Sequence, residues 1–133
     1  MTGDKADDKA KKKILIIDDE EDLVEMLALR LESTGQFAVE RALNGQTGLK
    51  LAGDTLPDVI LLDSIMPGMS GWEVCRKLRQ DPRTKNIPIV IMTAGTPHEA
   101  KERARENGAD HVVFKPYEYN DLLRVLDTIQ RSF

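Results

Sequence analysis

The chain has 133 residues, with 19 basic against 23 acidic side chains and a formal net charge of −4. That length fits one domain, and the mild acidity gives no general attraction to nucleic acid or anionic lipid. One cysteine, Cys75, excludes an internal disulfide and a thiolate zinc cluster, and no apolar run approaches the ~20 residues needed to span a bilayer, so a reducing, cytoplasmic setting without membrane insertion is expected.

Residues 1–13, MTGDKADDKAKKK, carry no large apolar group besides Met1 and are expected to form a flexible charged tail ahead of a single domain over 14–133. Ile14-Leu15-Ile16-Ile17 is short, continuous and β-branched, as a strand covered on both faces should be. The first helix places Leu23, Leu27 and Leu31 on one stripe with Met26 and Arg30 beside it, and Thr34-Gly35 stops it. Phe37 to Ala42 reads as a weaker edge strand, followed by a short helix from about Gly45 to Leu51 capped by Asn44. Val59-Ile60-Leu61-Leu62 is a second buried run. Ser70-Gly71-Trp72-Glu73 and Thr96-Pro97-His98-Glu99 each fit a capping box that opens a helix, and Ile89-Val90-Ile91-Met92 lies between them. Trp72 is expected on the helix surface or half-buried. Asn107-Gly108 ends the fourth helix, Val112-Val113-Phe114 forms the last strand, and the final helix, about Tyr119 to Gln130, buries Leu122, Val125, Leu126 and Ile129.

Strict alternation of strand and helix implies stacked βαβ units on a parallel sheet, here an α/β doubly wound, flavodoxin-like (βα)5 fold. In the order 2-1-3-4-5, strands 1 and 3 meet where the winding reverses, and ligands bind in that crevice. The buried runs break into polar residues at their carboxyl ends: Asp18-Asp19, Asp63-Ser64, Thr93 and Lys115-Pro116. The topology therefore gathers three acids, a hydroxyl and a lysine.

Carboxylates ~4–6 Å apart repel by roughly 1–4 kcal/mol near a protein surface and respond by raising a pKa or capturing a cation. All-oxygen donors favour a hard ion, and Mg2+ fits because it tolerates few carboxylates and adds phosphate oxygens readily. Lys115 beside a carboxylate and that ion makes a cradle for a phosphoryl group, and Asp63, on the central strand, is the best-placed nucleophile for an acyl phosphate.

These residues resemble the receiver domain of two-component response regulators: IDDEED for the paired acids, LLDSIMPGMSGWEV for the phosphoacceptor loop, IVIMTA for the hydroxyl strand and FKPY for the lysine, a likeness covering about residues 14 to 131. The resemblance implies that Asp63 takes a phosphoryl group from the phosphohistidine of a sensor histidine kinase or histidine phosphotransfer protein. It implies that Asp19, Asp63 and the backbone carbonyl of Ile65 ligate Mg2+ with Asp18 acting through water, that Lys115 pairs with the phosphoryl oxygens, and that Thr93 moves to bond them. The phosphorylated form would alter binding of a downstream protein, with the charged fourth helix, fifth strand and fifth helix as the partner or dimer face.

Several positions depart from the family pattern. Val112 stands where an aromatic residue is common, Phe114 where a small or polar one is, and Ser64 where an apolar one is. By the resemblance, Ile65 and Gly95 flank the path of an attacking water, and neither can orient it through its side chain, so a phosphoryl group lasting longer than in members with an amide or acid there is expected. The leading reading is a stand-alone switch, not an enzyme acting on other substrates. The alternatives are a phosphorelay intermediate, a scaffold that works without phosphorylation, and a magnesium-dependent aspartyl phosphatase, against which Ile65 speaks because such enzymes place an acid two residues after the nucleophile. No glycine-rich phosphate loop follows the first strand.

Overall fold

A computed structural model describes residues 11–131. Its elements alternate without interruption: β1 (Lys12–Ile17), α1 (Glu21–Ser33), β2 (Phe37–Ala42), α2 (Gly45–Thr55), β3 (Val59–Asp63), α3 (Gly71–Gln80), β4 (Ile89–Thr93), α4 (Pro97–Asn107), β5 (His111–Phe114) and α5 (Tyr119–Arg131). The strands form one sheet in the order β2-β1-β3-β4-β5, with every neighbouring pair parallel.

Side chains alternate between the sheet faces, so each strand feeds two cores. Ile14, Ile16, Leu61, Val90 and Met92 pack with Val24, Leu27 and Leu31 of α1 and Leu122, Leu126 and Ile129 of α5. Leu15, Ile17, Ile60, Leu62, Ile89 and Ile91 face the other way, toward Ala52 of α2, Val74, Cys75 and Leu78 of α3 and Ala104 of α4. Each large aliphatic side chain buried this way contributes about 1.5–3 kcal/mol, which is why the runs are continuous rather than alternating. Only Ala100 and Ala104 are buried on α4, so that helix is held through small contacts.

The start of β1 corrects the expected tail boundary. Lys12 and Lys13 pair with Phe37 and Ala38 of β2, the Lys12 amide donates to the Gln36 carbonyl (3.0 Å), and the Lys13 amide donates to Asp58 Oδ2 (2.7 Å). Backbone hydrogen bonds extend the strand without needing apolar side chains, so the lysines gave no sign of it. The rest of the expected tail, residues 1–10, lies outside the described residues.

Helix α1 is also turned relative to expectation. Its buried residues are Val24, Leu27, Ala28 and Leu31, whereas Leu23 and Met26 are exposed. Four residues advance a helix by about 400°, so leucines spaced by four drift about 40° per step and cannot all stay on one line. Val24 and Ala28 restore the i, i+3, i+4, i+7 stripe.

Of the three helix caps expected from the sequence, two are made and one is not. Asn44 accepts from the Thr47 amide (2.8 Å) and Ser70 from the Glu73 amide (3.2 Å). Thr96 makes no side-chain cap, so the capping box proposed there is absent and Pro97 alone marks that start. Helix α2 runs on to Thr55, and Trp72 is buried rather than half-exposed. Gly108 ends α4 in the left-handed region, φ 83°.

At the amino ends of β4 and β5, Arg79 of α3 ties several segments together. It donates to the carbonyls of Gly108 (2.7 Å), Lys85 (3.1 Å) and Ile87 (2.7 Å) and to Asp110 Oδ2 (2.6 Å), which also accepts from the Ile89 amide (2.8 Å).

Candidate functional site

The site sits at the carboxyl ends of β1 and β3. Ile17 is opposite Leu62, so the next residues, Asp18 and Asp63, emerge side by side. Both are buried, each 5% exposed. Asp18 Oδ1 accepts from the Glu20 amide (3.0 Å), an Asx-type turn that folds the segment back over the strand end before α1 begins. That turn brings Glu20 into the group: carboxylate oxygens of Asp18, Glu20 and Asp63 all lie within 4.8 Å of one another.

Asp19 is exposed and is not part of this trio, and Glu20, which sequence reasoning did not single out, takes the third corner. The run Asp18-Asp19-Glu20 offers three adjacent acids, and the turn sets how near each lies to Asp63. Ile65, two residues past Asp63, points its side chain to solvent at 77% exposure.

Lys115 reaches the acids from β5's carboxyl end. Its amide donates to the Thr93 carbonyl (2.8 Å), which fixes the base of the side chain, and its Nζ donates to Asp63 Oδ1 (2.9 Å). The following Lys115–Pro116 peptide is cis. Burial pushes the Asp18 carboxyl up from 3.8 to about 6; the Glu20 amide and Lys115 oppose this, and the Asp63 charge adds to it. Burial works to lower the Lys115 ammonium, but the Asp63 hydrogen bond and the nearby charges of Asp63, Asp18 and Glu20 together outweigh it and leave that pKa raised.

On the other side of Asp63 the groups are neutral. Thr93 Oγ1 is hydrogen-bonded to Ser64 Oγ (2.9 Å) and accepts from the Gly95 amide (3.2 Å). The Ser64 amide donates to the Met92 carbonyl (3.0 Å), and its carbonyl accepts from the Gly71 amide (2.9 Å). Gly71 is there for space: a Cβ would overlap the Asp63 carbonyl oxygen. Helix α3 therefore starts against the backbone of the strand end.

A cavity of about 520 Å³ opens beside the acids, between α1 and the segment after β5. Asp18, Glu20 and Lys115 line its polar end, and Leu23, Met26 and Tyr117 are among its apolar walls. The donor set is all oxygen and strongly acidic, with one carboxyl already held toward its neutral form, which fits a hard divalent cation.

The family model described as the response regulator receiver domain matches residues 14–127. The chain belongs to that family. This receiver domain is 42% identical over 104 residues to response regulator PleD of Caulobacter vibrioides, covering 78% of the chain and 23% of PleD. It is 38% identical over 121 residues to the phosphate regulon transcriptional regulatory protein PhoB of Rhizobium meliloti, covering 90% of the chain and 53% of PhoB. The chain thus spans about a quarter to a half of these relatives. Among solved structures, the Vibrio cholerae chemotaxis protein CheY4 superposes with a TM-score of 0.84 at 32% identity, covering 90% of the receiver domain and 99% of CheY4. The fold and the two-component class follow. Among the described residues, no helix is long and apolar enough to cross a membrane.

Proposed function

We propose that Asp63 is the phosphoacceptor of a phosphorylation-dependent switch. The observation that carries this is the Lys115 Nζ to Asp63 Oδ1 contact at 2.9 Å, made inside a buried acid cluster. A carboxylate oxygen of Asp63 attacks the phosphorus of a phosphohistidine on a sensor histidine kinase or histidine phosphotransfer protein. The O–P bond forms as the P–N bond breaks, and the imidazole leaves with the electron pair. Lys115 balances negative charge as it develops on the phosphoryl oxygens, and Thr93 supplies a hydroxyl at the neighbouring strand end.

Asp18 and Asp63, with Glu20 or Asp19 and the Ile65 carbonyl, would hold Mg2+. When bound, the ion supplies positive charge to the carboxylates and the phosphoryl oxygens. Helix α4, fixed through two alanines, is the element freest to answer a change at Thr93, and the α4–β5–α5 face is our reading of where a downstream protein or a second copy binds. The chain acts as a phosphoacceptor in this account rather than as a phosphatase, since Ile65 offers no acid near the nucleophile. A cytoplasmic location goes with that role.

The test is intact mass after incubation with Mg2+ and a small acyl or amido phosphate. Wild type is expected to gain one acid-stable, base-labile phosphoryl group, and Asp63→Asn none. No gain on wild type would favour a scaffold, and rapid turnover of phosphate esters would favour an enzyme.

A further inference from the structure

We infer that Ser64 is a positioning residue that latches the Thr93 hydroxyl away from the phosphoryl position and so sets how much interaction energy the switch must spend to close. The inference rests on the phosphoacceptor reading and concerns a residue next to, not in, the set that would hold the phosphoryl group. Ser64 and Thr93 are 2% and 5% exposed, and their hydroxyls meet at 2.9 Å. The Gly95 amide donates to the same Thr93 oxygen at 3.2 Å, so that hydroxyl is held from two sides.

The parity of the strands says which side this is. Ser64 continues the alternation of Leu62, and Thr93 that of Ile91, and both of those residues belong to the core beneath α3 and α4. Asp63 continues the alternation of Leu61, which belongs to the opposite core. A third phosphoryl oxygen on Asp63, with Lys115 and a cation taking the others, would take the Thr93 hydroxyl at the neighbouring strand end as a neutral donor. Reaching it requires rotation of Thr93 about χ1, away from Ser64.

The main chain of Ser64 cannot follow that rotation. Its amide is bonded to the Met92 carbonyl and its carbonyl to the Gly71 amide, which pins the backbone on both sides. Closing the switch therefore breaks the Ser64–Thr93 bond and leaves a buried hydroxyl without its partner, a cost that opposes closure. An apolar residue at this position carries no such cost.

The experiment measures binding of beryllofluoride with Mg2+ to the full chain, a phosphoryl mimic for the Asp63 carboxylate, by the change in Trp72 fluorescence and by the Gly95 amide resonance. Ser64→Ala is expected to tighten binding about three- to tenfold, the size of one hydrogen bond. Ser64→Cys, similar in shape and a weaker donor, falls between the two. In a Thr93→Val background the Ser64→Ala gain disappears, a coupling that a merely structural effect on folding would not produce. Urea unfolding of each variant confirms that it is folded under the assay conditions. Unchanged or weaker binding by Ser64→Ala, or a gain that persists without the Thr93 hydroxyl, overturns the latch. Failure of wild type to bind beryllofluoride at all overturns the phosphoacceptor reading and the latch with it.

Discussion

The two ends of the sheet handle charge in opposite ways. At the amino end, Arg79 meets Asp110 and three carbonyls, and Lys13 Nζ donates to the Thr55 carbonyl (2.6 Å) while its amide meets Asp58, so each of these charged groups has a hydrogen-bond partner. At the carboxyl end, carboxylate oxygens of Asp18, Glu20 and Asp63 crowd within 4.8 Å of one another, with Lys115 the one lysine bonded to them among the described residues. One end uses charge to hold segments together, and the other keeps a surplus of negative charge that only an added cation or proton relieves. A fold that needs stability and reactivity from the same sheet separates them along the strands.

The largest expected effect breaks the stable end. Arg79→Ala removes bonds to Gly108, Lys85, Ile87 and Asp110 and leaves carbonyls behind, at a cost of about 2–4 kcal/mol read from urea unfolding. Beryllofluoride binding by the folded fraction should be unchanged. A loss of binding equal to the loss of stability would show that the two ends are not separate.

Lys115→Ala reverses the pattern. Removing the one close cation should slow phosphoryl uptake from a small acyl phosphate by roughly 100-fold. Metal-free stability should fall little, because the surviving acids can respond by taking up protons. Intact-mass time courses check the first expectation and unfolding midpoints the second.

The smallest effect concerns pH. Asp18 has a folded-state value of about 6, above its ordinary 3.8, so the folded protein binds its proton more tightly than the unfolded chain does. Its contribution to stability is full below 3.8 and is lost as pH rises through about 6. Metal-free Asp18→Asn should therefore exceed wild type in stability at pH 7.5, by on the order of 1 kcal/mol once solvent at the cavity mouth is allowed for. The gap should narrow as pH falls below about 6 and close only below 3.8. Saturating Mg2+ should reverse the order at pH 7.5, and wild-type Mg2+ affinity should drop as pH falls through about 6, because proton and metal compete for one carboxylate.

The sequence carried the strong parts of this arrangement and missed those that depend on a single turn. Continuous runs at Ile14, Val59 and Ile89 announce buried parallel strands because both faces must be apolar, and the strand order then places Asp18 beside Asp63 without knowledge of any side chain. Lys12 and Lys13 were hidden because a strand end can be held by backbone groups alone. Val24 was hidden behind Leu23 because a spacing of four looks like a stripe until the helical drift is counted. The place of Glu20 beside Asp18 and Asp63 was hidden because it depends on an Asx turn that composition does not show. The Ser64–Thr93 bond required the register of β3 against β4, since the two hydroxyls lie 29 residues apart.

The glycine at position 71 has a meaning beyond its place at the start of α3. Because the first turn of that helix abuts the carbonyl of Asp63, the proposed phosphoacceptor, the spacing between strand and helix is set by main chain against main chain, with no side chain to absorb an error. For anyone grafting this loop onto another scaffold, the segment from Asp63 to Gly71 is one indivisible part: its tolerance is that of a bearing rather than of a packed core, and a Cβ at position 71 would press on the Asp63 backbone.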